Sequence, residues 1–196
     1  TMDVQRDNLD LFSAGAHKFF GPKGIGLLYH KRDIPLLSTQ TGGKQEENLR
    51  AGTHNVPYIV GMARALEIAQ TEYHNWRDTI LQMRDRIIAE VLSATTKVKL
   101  TGHDKNRLPN HASFVFENVD GNTLVGILDA NGYACSSGSA CKSGTPKPSD
   151  VLIAIGLSKS WAMGSLRITL GREMTSNVVD GFIPVLKSAI EQARRR

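Results

Sequence analysis

The fold is decided near the start of the chain, by one segment rich in small residues and glycines. The segment reads Ser13-Ala14-Gly15-Ala16-His17-Lys18-Phe19-Phe20-Gly21-Pro22-Lys23-Gly24-Ile25-Gly26. Short apolar runs flank it: residues 9–12 are typical of a short strand, and residues 25–29 of a second, buried strand. Two strands cannot form a sheet that is covered on both faces. We therefore expect this pair to belong to a larger sheet, whose other elements are missing or lie on another chain.

The rest of the chain predicts one long helix followed by a smaller mixed region. Apolar residues recur at helical spacing over residues 59–92, after Asn55, which can cap a helix, and Pro57. Because that length exceeds a typical globular helix, a break is expected near residues 73–75. Strands are then predicted at residues 98–100, 112–116 and 165–170, with helices at residues 121–131, 149–156 and from residue 175 onward. This order predicts helices packed on a small, mostly antiparallel sheet.

Composition limits the class of protein. The 196 residues carry 24 Lys and Arg against 19 Asp and Glu, with 40% hydrophobic and 22% charged residues, as in globular proteins. No run approaches the roughly 18 apolar residues of a membrane span, and no export leader is evident. The sequence contains no basic stripe with interleaved aromatics, the pattern that indicates nucleic-acid binding. Because the chain has only two cysteines, we expect a cytoplasmic protein. From the two preceding observations we also expect that it binds neither membrane nor nucleic acid.

Two lysines in the opening segment are candidates for covalent chemistry. Lys18 follows the first predicted strand, between His17 and two phenylalanines, where partial desolvation favours the neutral amine. A neutral lysine amine is what Schiff-base chemistry requires. Lys23 has equal local chemistry, and an ordinary exposed lysine beside a turn is the alternative for both. The pattern alone does not choose between them.

A candidate thiol lies in the segment of residues 136–146, which consists mainly of small polar residues and predicts an exposed, mobile loop. Cys141 lies in this segment, and the adjacent Lys142 favours its thiolate. An incidental loop thiol is the alternative. Cys135 precedes the loop at the expected end of a strand, and we expect it to act as a small buried hydrophobe. The spacing of the two cysteines, without a nearby histidine or acidic cluster, predicts no metal site.

Arg167 is the third candidate, on the last predicted strand. An arginine among apolar neighbours needs a partner, and bidentate capture of a substrate carboxylate is one solution. An intramolecular salt bridge is the more frequent alternative.

Four segments together resemble the cysteine desulfurases of the NifS/IscS type. That family belongs to the class-V aminotransferase group of pyridoxal 5'-phosphate (PLP) enzymes with the fold-type-I architecture. The segments are residues 16–26, residues 42–53 with Gly-Gly-Lys-Gln-Glu and Arg-Ala-Gly-Thr, residues 136–141 with Ser-Ser-Gly-Ser-Ala-Cys, and residues 165–172 with Ser-Leu-Arg and Leu-Gly-Arg. They occur in family order and cover essentially the whole chain, but only the carboxy-terminal half of the family's usual length.

The resemblance implies an α/β protein of the PLP-dependent transferase fold type I. Residues 1–74 are then the carboxy-terminal part of the PLP-binding large domain, with the start of the linking helix. Residues 75–196 are the small α+β carboxy-terminal domain that carries the catalytic cysteine loop. The family's ring-stacking histidine, and the aspartate that pairs with the pyridine nitrogen, both lie before this segment. The chain alone is therefore expected to be incomplete as a catalyst.

The resemblance also implies a role for each candidate. Lys18, rather than the second lysine, forms the Schiff base with PLP, and His17 lies near the cofactor phosphate. Thr53 reaches the phosphate of the PLP held by the partner subunit, which implies a homodimer. Arg167 holds the carboxylate of the substrate, L-cysteine. Cys141 takes up the sulfur as a persulfide and passes it to an acceptor protein such as an iron–sulfur scaffold, and L-alanine is released.

One departure and two alternatives accompany the resemblance. Gly15 stands where the family usually has a serine that contributes to the phosphate site. A related PLP-dependent lyase or aminotransferase, for example a selenocysteine lyase, is the alternative among enzymes. A non-catalytic dimerisation or scaffold-binding fragment is the alternative outside them.

Overall fold

The computed structural model describes residues 2–138 and 147–194. The chain divides into two compact units, Thr1–His74 (unit 1) and Asn75–Arg196 (unit 2). The division falls at residue 74, where the sequence analysis places its boundary. The assignment of the units to a large and a small domain stays a prediction.

Unit 1 contains a two-stranded antiparallel sheet. Strand β1 (Leu11–Gly15) pairs with β2 (Gly26–His30). Both strands were expected, but the second was expected to be buried and is not, since Leu28 is exposed. The physical reason is that a pair of strands offers two faces, and within unit 1 one of these faces remains uncovered.

Two helical elements follow in unit 1. A single helical turn, α1 (Gln45–Asn48), precedes the longer α2 (Val56–Thr71). Asn55 caps α2 as predicted, because its side-chain oxygen accepts the backbone N–H of Tyr58 at 3.4 Å. Helix α2 packs on the turn that follows Lys18, where a Cβ on Gly61 would approach Pro22 Cγ to 2.9 Å.

A break separates α2 from α3 (Tyr73–Ala94), close to the expected position. The break falls at Glu72, where the backbone N–H still bonds the carbonyl of Ile68 as the last bond of α2. Helix α3 contains the division between the units and contributes its later turns to the core of unit 2.

Unit 2 is a three-stranded antiparallel sheet with helices. The strands β3 (Val98–Leu100), β4 (His111–Phe116) and β5 (Ser165–Thr169) lie in the order β3-β4-β5. The described residues of the unit also form the helices α4 (Gly121–Ala130), α5 (Asp150–Ala154), α6 (Lys159–Met163) and α7 (Ser176–Arg194). The predicted α+β layout with an antiparallel sheet is confirmed, and α6 is an element that the sequence analysis does not predict.

The core of unit 2 lies between one face of the sheet and three helices. Phe114 and Leu166 face each other across β4 and β5 and are fully buried. They pack with buried side chains of α3, α4 and α7, among them Ile87, Leu128 and Leu186. Burial of one such side chain stabilises a fold by about 1.5–3 kcal/mol, so this face anchors the unit.

The opposite face of the sheet carries the polar residues. Because side chains alternate along a strand, His111 and Ser113 of β4 and Arg167 of β5 share this outer face. Val115 is the apolar exception, and it packs with Leu152 beneath the short helices. No helix within residues 2–138 or 147–194 is long and apolar enough to cross a membrane.

Candidate active site

The segment that contains Lys18 forms a rigid turn at the end of β1. A 3-10 helix, Ala16–Phe19, follows the strand directly, and its first residue is the fully buried Ala16. The backbone N–H of Ala16 donates to the carbonyl of Ile25 at 3.0 Å, and that of Gly21 donates to the carbonyl of Ala16 at 2.9 Å. These bonds fix the backbone beneath Lys18 from both sides.

The side chain of Lys18 is exposed, which corrects the expectation of partial desolvation. Phe20, one of the two flanking phenylalanines, is itself 68% exposed. Among the described residues, none forms an ion pair or hydrogen bond with the Lys18 amine. An amine on a fixed backbone, uncommitted to any carboxylate of the described chain, fits the covalent attachment of an aldehyde cofactor.

The Gly15 departure has a structural reason in this chain. A Cβ on Gly15 would lie 3.1 Å from Cε1 and 3.3 Å from Nδ1 of His17, so the histidine ring occupies the space above the glycine. A serine at position 15 would be crowded by that ring. The imidazole of His17 is therefore the polar group nearest to the position of the usual serine hydroxyl, and it fits a cofactor phosphate.

Thr53 lies exposed in the segment between α1 and α2. The residues before it are held from within, because Nη1 of Arg50 donates to the carbonyls of Ala51 at 2.9 Å and Gly52 at 3.0 Å. Gly52 has a φ of 94°, a left-handed conformation that favours glycine. The threonine hydroxyl is therefore presented from a braced backbone.

A strained turn supports this brace. Glu46, Glu47 and Asn48 all have left-handed backbone angles, with φ of 50°, 54° and 70°. The carboxylate of Glu46 lies 3.0 Å from Nε2 of His54 and 3.7 Å from Nη2 of Arg50. Consecutive left-handed residues other than glycine are costly and are concentrated at functional sites.

Arg167 lies half-buried on the outer face of β5. It lies opposite Ser113 of β4, and on its other side its backbone exchanges N–H···O bonds of 3.2 and 2.7 Å with Ser136. Among residues 2–138 and 147–194, no carboxylate forms a salt bridge with Arg167. The guanidinium is thus not engaged by a described acidic residue, and an incoming carboxylate fits it.

The charge around Arg167 favours an anion. Burial lowers the pKa of His111, which lies two residues from Ser113 on the same face, and the guanidiniums of Arg107 and Arg167 lower it further. The contribution of the two guanidiniums to this shift indicates a positive local potential beside burial, its largest cause.

The segment that leads to Cys141 begins at this strand. Gly138 donates its N–H to Oγ of Ser165 at 3.1 Å, and the hydroxyls of Ser137 and Ser165 lie 3.4 Å apart. Cys141 itself, with Lys142, lies outside the described residues. Unit 2 therefore brings Arg167 and the residues preceding Cys141 together on β5. Sequence reasoning placed Ser165 in a family segment but gave its hydroxyl no role, since a hydrogen bond across 27 residues leaves no local pattern.

Cys135 has the role expected of it, although it is not at the end of a strand. It packs against the core of unit 2, and burial raises its pKa to about 11. The thiol is therefore protonated at neutral pH and unsuited to nucleophilic chemistry.

The comparisons with known proteins define the class. Residues 1–182 match the Aminotransferase class-V family, and the chain belongs to that family, whose members depend on PLP. Its fold is accordingly that of the PLP-dependent cysteine desulfurase structures. A solved NifS-like protein superposes with a TM-score of 0.85 and 31% identity, over 97% of this chain and 49% of the other.

The particular proteins that the chain resembles are cysteine desulfurases. It is 42% identical to the cysteine desulfurase IscS of Methanosarcina thermophila, over 98% of this chain and 48% of the relative. It is 40% identical to that of Clostridium botulinum, over 98% of this chain and 49% of the relative. The chain thus spans about half the length of these relatives, and the match confirms the resemblance of the four segments.

Proposed function

We propose that this chain is the part of a PLP-dependent cysteine desulfurase that carries the cofactor lysine, the substrate arginine and the sulfur-accepting cysteine. The observation that supports this most directly is the arrangement on β5. There the backbone of Arg167 pairs with Ser136, which begins the run toward Cys141. This backbone pairing thereby holds the arginine proposed for the substrate carboxylate next to the residues that precede the thiol.

The residues of unit 1 fit the cofactor. Lys18 offers an exposed amine on a fixed turn, and the His17 ring above Gly15 offers a partner for the phosphate. Thr53, on its braced segment, would contact the phosphate of a cofactor bound by a second copy of the chain. When bound, PLP stabilises negative charge at the substrate Cα.

Three residues of this chain then orient the substrate, move its protons and take up its sulfur. Arg167 orients L-cysteine through its carboxylate, and the Lys18 amine takes the proton from Cα. The Cys141 thiolate attacks the substrate sulfur, so that an S–S bond forms and the substrate C–S bond breaks. The electron pair of the broken bond stays on Cβ, which takes up one proton, the Lys18 amine returns the other proton to Cα, and L-alanine leaves. The persulfide on Cys141 passes its outer sulfur to an acceptor thiol.

The partners follow from this chemistry. The proposal comprises L-cysteine as substrate, a homodimer, and an acceptor protein such as an iron–sulfur scaffold, in keeping with the IscS name of the relatives. It also comprises a cytoplasmic location, which the small number of cysteines supports.

A chimera tests the proposal. This chain replaces the matched half of the Methanosarcina thermophila relative, and alanine release from L-cysteine is measured with PLP present. We expect activity, and we expect Lys18→Ala to abolish both activity and borohydride-fixed cofactor, whereas Lys23→Ala retains them. Cys141→Ser is expected to abolish persulfide formation, with Cys135→Ser as its matched control.

Each other outcome favours a different function. Alanine release that persists in Cys141→Ser favours a related lyase, such as one acting on selenocysteine. A folded chimera that neither absorbs as a bound cofactor nor fixes PLP with borohydride favours a non-catalytic interaction fragment.

A further inference from the structure

Ser165 is a buried hydroxyl that the proposed reaction does not use. It begins β5 and is 5% exposed. Its Oγ accepts the N–H of Gly138 and lies against Oγ of Ser137. Because a buried hydroxyl is costly unless it is hydrogen-bonded, these contacts are the reason that a polar side chain is stable here.

Gly138 explains what the hydroxyl holds. Its φ of 61° is left-handed, so the chain turns sharply at the residue whose N–H binds Ser165. The hydrogen bond therefore fixes both the position and the direction of the chain at residue 138, three residues before Cys141.

The start of α4 closes the same junction. A Cβ on Gly121 would clash with Oγ of Ser137 and would lie 2.6 Å from the carbonyl oxygen of Ser165. The absence of a side chain at position 121 thus allows α4, β5 and residues 137–138 to meet. We call Gly121, Ser137, Gly138 and Ser165 the Ser165 junction.

We infer that Ser165 is a positioning residue for the sulfur acceptor. The Ser165 hydroxyl fixes the position from which the chain, after pairing with β5 at Ser136, continues toward Cys141. Arg167 lies two residues further along the same strand. The importance of that position for sulfur transfer rests on the proposed function, whereas the hydrogen bond itself does not.

Hydrogen exchange of the Gly138 amide tests the anchor in the full chain. In Ser165→Ala we expect exchange to be about fivefold faster, because the loss of one neutral hydrogen bond shifts the opening equilibrium by about that factor. Ser113→Ala is the matched control, because it removes a hydroxyl that accepts from Thr101 at 2.7 Å on the same sheet. It should leave the Gly138 rate unchanged. Ser165→Thr, which keeps the acceptor, should restore protection.

Spin labels test the positioning. One label is placed on Cys141 and one on Glu191→Cys, an exposed site of α7, in a Cys135→Ala background. The distance distribution between the two labels should broaden in Ser165→Ala and not in Ser113→Ala. The comparison is made between variants with the same denaturant midpoint of unfolding. Unchanged exchange at Gly138 would overturn the anchor, and an unchanged distribution would overturn the positioning role. Neither measurement needs cofactor or turnover, so an inactive chimera would count against the proposed function alone.

Discussion

The two units differ sharply in how they bury apolar surface. In the described part of unit 1, Ala16 is the only buried apolar residue, whereas all the others lie in unit 2. Leu11 and Leu28, on one face of the sheet of unit 1, are 49% and 56% exposed. The sheet of unit 2 has one face covered by α3, α4 and α7. Unit 2 therefore contains its own core, while the sheet of unit 1 presents a face suited to further packing.

The proposed chemistry is divided in the same way. Lys18, His17 and Thr53 belong to unit 1, where backbone hydrogen bonds and the Arg50 brace provide the rigidity. Arg167 belongs to unit 2, where burial of the neighbouring strand residues provides it. Local hydrogen bonding can fix a turn without a core, but a residue at a strand centre needs packed neighbours.

The largest expected effect comes from truncating one large apolar side chain in each unit. Phe114→Ala should lower the free energy of unfolding by about 3–5 kcal/mol, because it opens a cavity in the core of unit 2. Leu28→Ala should change it by about 0.5 kcal/mol or less, because the side chain is already exposed. Urea unfolding followed by circular dichroism measures both. Equal losses would mean that the face bearing Leu28 is as well packed as the core of unit 2.

The next effect measures how closed the interior of unit 2 is. With a pKa of about 11 against an ordinary 9.0, Cys135 has about a hundredfold less thiolate at pH 8 than a free cysteine. In Cys141→Ser, alkylation by iodoacetamide should be slower than that of N-acetylcysteine by this factor, and should recover in urea. A native rate equal to that of the reference thiol would contradict the burial of Cys135.

The smallest effect compares two glycines of α4 in unit 2. Gly121→Ala should destabilise the chain by about 1–3 kcal/mol, because its Cβ has no space at the Ser165 junction. Gly126→Ala, where nothing lies within 4 Å, should stabilise it by about 0.5–1 kcal/mol through helix propensity. Thermal or urea midpoints give both values. Effects of the same sign would show that the junction relaxes around an added methyl group.

Local patterns predicted most of the elements. The helix predicted at residues 121–131 lies within one residue of α4, and the structure adds its cap, Asp120, whose side chain accepts the N–H of Thr123 at 2.7 Å. The alternation of β5 predicted its two faces. The exposure of Lys18 and of Leu28 was not predicted, because the number of strands that cover a segment is not a local property of the sequence.

The sequence by itself determined the order of the strands and of the longer helices, and the four family segments, because periodicity, caps and motif residues act over a few neighbours. The tertiary structure alone decided that Ser165 holds Gly138 and that the His17 ring fills the space above Gly15. Each of these depends on which surfaces the folded backbone brings into contact, and that is set by packing across the chain rather than by adjacent residues.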